Sequence, residues 1–490
     1  MTSWLNNPVI YEINSLVWLN ELTRRYNKRV TLGSVPASEW DAVASLQVDA
    51  VWLMGVWERS PAGIRIAREL AVLQDEYWRA LPDFTTEDVA GSPYCVHCYV
   101  VDEHLGGPKG LALARKQLAK RGMRLMLDFV PNHVAPDHPW IFDHPEYFIR
   151  GSADDFAQKP GEFFKAGDTI IACGRDPYFP AWTDTAQVNA FHPGLRAAAI
   201  DTVTSIAAQC DGMRCDMAML LINNIFEKTW GQRAGARTET EYWQEVIQAA
   251  REKYPDTLFM AEAYWGLERE LQQQGFSYCY DKRLYDRLVH DSAESVRQHL
   301  LADRAYQQKL VRFIENHDEP RAAAAFPPQK QRAAAVTALT LPGARLVHHG
   351  QLEGCRVKLP VQLGRSPEET ANAELYAFYL KLLNAVNCKA IREGAWQLCD
   401  CSGWPDNQSC KNLVAWCWRN GQERYLVIVN LSNVRSQGCI HIPWNDLCIR
   451  SWRLTDVLSG SVYERNGNEL LEKGFFVDLP AGESHLLSFH

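Results

Sequence analysis

The stretch Leu111-Ala-Leu-Ala-Arg-Lys-Gln-Leu-Ala-Lys-Arg-Gly-Met-Arg-Leu-Met-Leu-Asp128 changes its period part-way along. Leu111, Ala114 and Leu118 share one helical face, and Gly122 is placed to end that helix. Arg124-Leu-Met-Leu-Asp128 then reads as a strand. The same unit recurs in both directions. Val9-Ile-Tyr-Glu-Ile13 and Asp49-Ala-Val-Trp-Leu53 are strand-like before it. After it, Leu195, Ala199, Val203 and Ile206 form a helical stripe ahead of a strand ending at Asp216. Trp243, Val246, Ile247 and Ala250 form another stripe, broken by Pro255, and Leu258-Phe-Met-Ala-Glu262 follows as a strand. Lys309 to Asn316 and Ala344 to His348 read as two more strands, and Leu375, Phe378, Tyr379 and Leu382 mark a closing helix. Strand and helix in alternation predict an α/β domain with a parallel sheet. A chain of 490 residues with this many repeats favours a closed (β/α)8 TIM barrel over a doubly wound sheet.

Two regions break the alternation. From Ala135 to His192 the chain is rich in Pro, Gly and aromatics, as in Arg175-Asp-Pro-Tyr-Phe-Pro-Ala-Trp182. A segment this long between strand and helix is usually functional, and it should sit over the C-terminal end of the third strand. From about Gly403, the runs Leu413-Val-Ala-Trp-Cys-Trp418, Tyr425-Leu-Val-Ile-Val-Asn430 and Cys439-Ile-His-Ile442 are separated by turn residues with no helix between them. The expected organisation is a barrel over 1–134 and 193–395, an inserted domain over 135–192 and a C-terminal antiparallel β-sandwich over 396–490.

Composition narrows the classes. Hydrophobic residues make up 47%, enough for a large core, and the net charge is −8. No clustered basic face suggests nucleic acid, and no window reaches the roughly 20 apolar residues of a membrane span. The opening Met1-Thr-Ser-Trp-Leu-Asn-Asn7 lacks the apolar core of an export signal. A cytoplasmic location is therefore expected, with the 14 cysteines reduced. Cys95-Val-His-Cys98 has a ligand-like spacing but no second paired cluster in sequence, so it reads as core rather than as a zinc site. No metal or other cofactor is expected, and the sequence says nothing of oligomeric state.

Polar residues gather where the strands should end, which is the catalytic face of such barrels. Asp128 closes the third strand, with Asn132 and His133 just beyond. Arg214 and Asp216 close the fourth, Glu262 the fifth, and Asn316, His317 and Asp318 follow the seventh. Arg214 and Asp216 are two apart and share a strand face, and an arginine beside a carboxylate favours its ionised form. Glu262 lies between two alanines, an apolar setting that raises a carboxyl toward the range of a general acid. Two such carboxyls are the equipment of a retaining glycosidase. Asp318 adds a third negative charge, and His133 and His317 can donate to sugar hydroxyls. Each residue alone has a structural explanation: an ion pair, a helix cap, a loop anchor. Their joint appearance at strand ends is harder to assign to stability.

Four segments, Asp128-Phe-Val-Pro-Asn-His133, Gly212-Met-Arg-Cys-Asp216, Ala261-Glu-Ala263 and Glu315-Asn-His-Asp318, resemble in order the signatures of the α-amylase family of glycoside hydrolases. They are spaced 88, 46 and 56 residues apart, counted between Asp128, Asp216, Glu262 and Asp318. The resemblance implies retaining chemistry on α-glucosidic bonds, with Asp216 as nucleophile, Glu262 as acid/base and Asp318 as third carboxylate. It implies substrate binding by Asp128, His133, Arg214, Asn316 and His317, and ring stacking by Tyr94 in Gly91-Ser-Pro-Tyr94. Two positions depart from the family pattern. Leu220 stands where many starch-degrading members carry a histidine, and Gln187 stands where the inserted domain often supplies an aspartate to calcium. Neither a structural calcium nor an ordinary endo-acting α-amylase role is therefore expected. The substrate is expected to be an oligosaccharide or small α-glucoside. A glucosyltransferase, phosphorylase or isomerase of the same family is the alternative enzyme reading, and a non-catalytic sugar- or partner-binding relative is the alternative of another class.

Overall fold

The computed structural model describes residues 4–490; Met1–Ser3, part of the stretch read for an export signal, lie outside the described residues. Eight parallel strands close into a barrel: Val9–Asn14, Ala50–Met54, Arg124–Phe129, Gly212–Cys215, Leu258–Ala261, Tyr278–Tyr280, Leu310–Arg312 and Ala344–His348, with the first hydrogen-bonded to both the second and the eighth. The sixth strand, three residues long, was not singled out from sequence, because three residues are too few to display a period. The seventh is shorter than the expected run: Phe313 to Asn316 stay buried beyond its end without pairing. No helix among the described residues is long and apolar enough to cross a membrane.

Alternation along these strands builds both the core and the rim. Ile10, Ala50, Trp52, Met126, Leu258, Met260, Tyr280, Val311 and Leu346 fill the barrel interior as one cluster. Their neighbours Val9, Tyr11, Val51, Leu53, Leu125, Leu127, Met213 and Phe259 pack outward into the cluster shared with the helices. Because the period is two, the next inward position above Ile10 is Glu12, above Met126 is Asp128, above Met260 is Glu262 and above Leu346 is His348. All four are buried. The register places Arg214 directly beside Asp128, and Glu12 between Trp52 and His348. An apolar floor thus carries a polar layer one step higher on several strands.

Between strand three and the helix Pro193–Gln209, the inserted segment forms the hairpin Phe163–Ala166/Thr169–Ala172. It returns to pair Ala186–Gln187 with His133–Val134. A second excursion leaves strand two and returns as the ribbon Trp57–Arg59/Val96–Val101.

The C-terminal module is antiparallel, as expected, and is connected as one eight-stranded order. Ala395–Ser402 belongs to both halves: Ala395–Cys399 pairs with Leu413–Asn420, and Asp400–Ser402 with Ser436–His441. The sheet folds round its own core of Leu413, Ala415, Cys417, Leu426, Ile428, Phe475 and Leu487. The alternate residues Val414, Trp416, Trp418, Val427, Val429 and Leu486 join the barrel's outer cluster. All 14 cysteines are unpaired.

Trp418 is 1% exposed, and its indole donates to the Thr340 carbonyl at 2.7 Å, at the end of the barrel helix Pro328–Thr340. Trp418→Ala removes a buried aromatic and orphans that carbonyl. It should destabilise the protein by about 3–5 kcal/mol, read as a lower urea midpoint. A change below about 1 kcal/mol would mean that the module and the barrel are not one cooperative core.

Candidate active site

Arg214 projects inward from strand four with no exposed surface. Its Nη1 lies 2.6 Å from Asp216 Oδ1, and its Nη2 lies 2.9 Å from Glu262 Oε2 and 3.7 Å from Asp318 Oδ2. The faces of Tyr94, Trp52 and Tyr280 lie 5.1, 5.4 and 5.8 Å from the guanidinium carbon. One cation therefore gathers the three carboxylates expected from strands four, five and seven, within an aromatic wall.

The backbone turns sharply just past the fourth strand. Met217 takes φ +42°, a left-handed conformation that a side chain of this size adopts at a cost. The turn aims the Met217 amide at Glu262 Oε2, 2.6 Å away, while the Tyr264 hydroxyl donates to Oε1 at 2.7 Å. Leu220 follows in the short helix Ala218–Leu221, 2% exposed within the outer core.

His317 is the second fixed cation. Its Nδ1 meets Glu12 Oε1 at 2.5 Å; its Nε2 meets Asp318 Oδ2 at 3.0 Å and the Tyr94 hydroxyl at 2.7 Å. The Tyr94 ring stacks on the imidazole, centroids 5.4 Å apart. Burial acts to lower His317, but Asp318 and Glu12 outweigh it and lift the imidazole to about 10. Asp318 is 37% exposed at its side chain, the most open of the three acids. Burial acts to raise its carboxyl, and the combined pull of His317, Arg214 and Lys358 takes it well below the usual carboxylate range. Glu262 moves the other way. Burial raises it to about 7, with Asp216 and Asp318 adding to the rise and Arg214 opposing it. Burial also raises Asp216, against the charge and hydrogen bond of Arg214.

The remaining expected residues are held as follows. Asp128 accepts from the Trp52 indole at 3.0 Å and the Gly55 amide at 2.8 Å, so it fixes the end of strand two; burial raises it to about 6. Asn316 Oδ1 accepts from the amides of Asp318 and Glu319, both at 2.9 Å, and so sets the turn that presents Asp318. His133 packs on Trp182, centroids 5.2 Å apart, and burial lowers it to about 4, leaving a neutral ring at neutral pH. Asn132 and Gln187 are paired with each other: the Gln187 amide nitrogen donates to Asn132 O at 2.9 Å and Oδ1 at 3.1 Å, and Asn132 Nδ2 donates to Gln187 Oε1 at 3.2 Å.

Glu12, Tyr264, Trp52 and Lys358 were not picked out from sequence. Glu12 carried a signal, a lone acid in the apolar run Val9–Ile13. Tyr264 and Lys358 carried none, since their roles depend on the spatial meeting of loops.

The fold is a closed parallel barrel whose C-terminal rim gathers three acids on one buried arginine. Residues 37–409 match the family model for the alpha-amylase catalytic domain, and the chain belongs to the α-amylase family of glycoside hydrolases. It is 24% identical over 365 residues to an alpha-amylase, MalA, of Haloarcula japonica, covering 72% of this chain and 45% of that one. It is 22% identical over 364 residues to a cyclomaltodextrinase of Geobacillus thermopakistaniensis, covering 68% and 56%. The chain thus spans about half the length of these two relatives. An alpha-amylase from Lactobacillus plantarum shares the fold with TM-score 0.69, 19% identity and 99% coverage of both chains. A maltogenic alpha-amylase from Thermotoga neapolitana does so with TM-score 0.68, 18% identity and coverage of 99% and 98%.

The raised Glu262 carboxyl has a consequence for stability. Its folded value, about 7, exceeds the ordinary 4.5, so the contribution is full below about 4.5 and is lost as pH rises through about 7. The melting temperature of the wild type, relative to Glu262→Gln, should fall across that window and then level. A difference that is flat or rises there would contradict a Glu262 carboxyl raised by burial.

Proposed function

We propose that the protein is a retaining enzyme acting on α-glucosidic bonds of oligosaccharides or small glucosides. Asp216 attacks the anomeric carbon while Glu262 gives its proton to the leaving oxygen, forming a β-linked glucosyl-enzyme. Glu262 then takes a proton from the incoming acceptor, which restores the α configuration. The observation that carries this reading is the placement of Asp216 and Glu262 on one buried guanidinium, 2.6 and 2.9 Å from it, with burial raising the Glu262 carboxyl to about 7. A group that must donate and then accept a proton works best near the ambient pH. Arg214 orients both acids, and the ionised Asp318 with His317 grips ring hydroxyls and steadies developing positive charge.

Transfer to a sugar acceptor has its own support. Trp265, three residues beyond Glu262, takes φ +61° and is 39% exposed; Tyr178 and Phe179, from the inserted segment, are 56% and 66% exposed. Tyr178 and Trp265 meet edge to face at 4.8 Å, with Lys228 Nζ 3.1 Å from the Tyr178 hydroxyl. Exposed aromatic faces beside an acid/base suit the apolar face of a sugar ring.

The mutual pairing of Asn132 and Gln187 does not fit a calcium ion, because an amide N–H points at the oxygens such an ion would need. We read the enzyme as working without a cofactor. We read it as cytoplasmic, in keeping with its unpaired thiols, and as acting on neutral carbohydrate rather than on nucleic acid or a membrane.

For calcium, adding Ca2+ to chelator-treated protein should change neither melting temperature nor turnover; a rise of several degrees would count against this reading. The mechanism is tested by proton NMR of the product before mutarotation. An initial α-anomeric signal is expected, with turnover lost in folded Asp216→Asn and Glu262→Gln; an initial β signal would overturn the assigned roles. With added glucose, Trp265→Ala should lower the ratio of transfer to hydrolysis.

A further inference from the structure

We propose that Glu58, His97 and Cys98 form a site for one borderline-soft divalent cation, Zn2+ by the chemistry of the donors. The three lie on the ribbon Trp57–Arg59/Val96–Val101, and none of them is among the groups that meet Arg214. A nitrogen or sulfur atom from each of His97 and Cys98 and a carboxylate oxygen of Glu58 all lie within 4.8 Å of one another. Among the described residues, no other grouping of three or more such donors is close enough to share an ion.

Adjacent residues on a regular strand point to opposite faces, so His97 and Cys98 could not ordinarily serve one ion. The register here is irregular. Glu58 pairs with Cys98 and Arg59 with Val96, leaving His97 as the extra residue of a bulge. A bulge re-aims side chains locally, and this one turns His97 and Cys98 toward the same carboxylate. The remaining cysteine of the sequence cluster is elsewhere: Cys95 is buried, and its thiol donates to the Asp184 carbonyl at 3.0 Å. The third donor therefore comes across the ribbon from Glu58, about 40 residues away in sequence, rather than from a second cysteine pair.

The second observation is the state of His97. Its Nδ1 is buried without a hydrogen-bond partner, and Glu58 Oε2 stands 3.4 Å away, longer than an ordinary N–H···O bond. Coordination satisfies an imidazole nitrogen, a thiolate and a carboxylate at once. The neighbouring acid and histidine are already engaged. Asp137 accepts from the Ser60 hydroxyl and the Ala62 amide, and His138 Nδ1 from the Trp140 amide. Three protein ligands and one water then complete a tetrahedron, as zinc prefers. The side chains of Glu58 and His97 are 48% and 26% exposed, so the site is reachable from solvent. Zinc takes cysteine as thiolate, so binding releases the Cys98 proton to solvent. The strand that carries His97 and Cys98 begins two residues after Tyr94, so a bound ion would brace the ribbon behind the ring that stacks on His317.

The test uses Co2+ as a spectroscopic stand-in on chelator-treated full-length protein, and it is independent of any glycosidase activity. One equivalent should produce tetrahedral d–d bands together with a thiolate-to-cobalt charge-transfer band, both erased by one equivalent of Zn2+. Cys98→Ser should abolish the charge-transfer band. His97→Gln and Glu58→Gln, at partly exposed positions where folding is easily preserved, should each raise the dissociation constant for Zn2+ at least about tenfold. Absence of stoichiometric binding would overturn the proposal. So would an unchanged charge-transfer band in Cys98→Ser, which would assign the thiolate to another of the 14 cysteines.

Discussion

A guanidinium cannot shed its proton at any working pH, so burying Arg214 completely obliges the barrel to arrange anions around it. Asp216, Glu262 and Asp318 answer that charge from three loops, and the aromatic faces of Tyr94, Trp52 and Tyr280 line its other sides. The dependence runs both ways. Three carboxyls in one low-dielectric pocket repel one another, and each is also driven toward neutrality by burial. The shared guanidinium helps them coexist, while their affinities for a proton stay far apart. Removing it would leave buried charge uncompensated, a loss of the order of 3–5 kcal/mol in comparable cases.

A second cation, His317, repeats the device on the opposite wall. Glu12 on strand one and Asp318 beyond strand seven clamp its two nitrogens. Asp318 is thereby held ionised, while Glu262, which lacks a second cation beside it, is left to carry a proton near neutrality. The different values of two acids sharing one arginine follow from which of them also touches the histidine.

Much of this arrangement was legible in the sequence, and the reasons are specific. The two-residue period of strands four and five fixes that Asp216 lies on the same side as Arg214, and Glu262 on the same side as Met260, whatever the loops do. The long helical stripes, such as Leu195 to Ile206, sum enough positions to be unambiguous. Strand six was not legible, because Tyr278–Tyr280 is too short for a period and is held by its neighbours. The bonds of Asp128 to Trp52 and Gly55 were not legible, because those partners lie about 75 residues earlier and only barrel closure brings them near. Tyr264 was invisible for a related reason: its bond to Glu262 depends on the path of a loop after the strand has ended. Gln187 was informative by its identity alone, and the reciprocal amide pair with Asn132 gives that identity a structural reading.

From Leu413 to Trp418 the strand Leu413–Asn420 has no solvent face. One set of its side chains fills the C-terminal module and the other fills the side of the barrel. It is flanked by Glu423–Asn430, which in turn pairs with Ser484–Phe489. During synthesis the barrel helices are therefore exposed, greasy side outward, until residues near 489 have left the ribosome. The nascent chain has no early point at which it can rest as a finished barrel. A stop codon in the preceding ninety or so residues would leave an open apolar flank, the kind of surface that chaperones hold and that aggregates nucleate upon. The module is thus a closing panel of the catalytic domain, and shuffling it onto another barrel would mean transplanting the helices it covers as well.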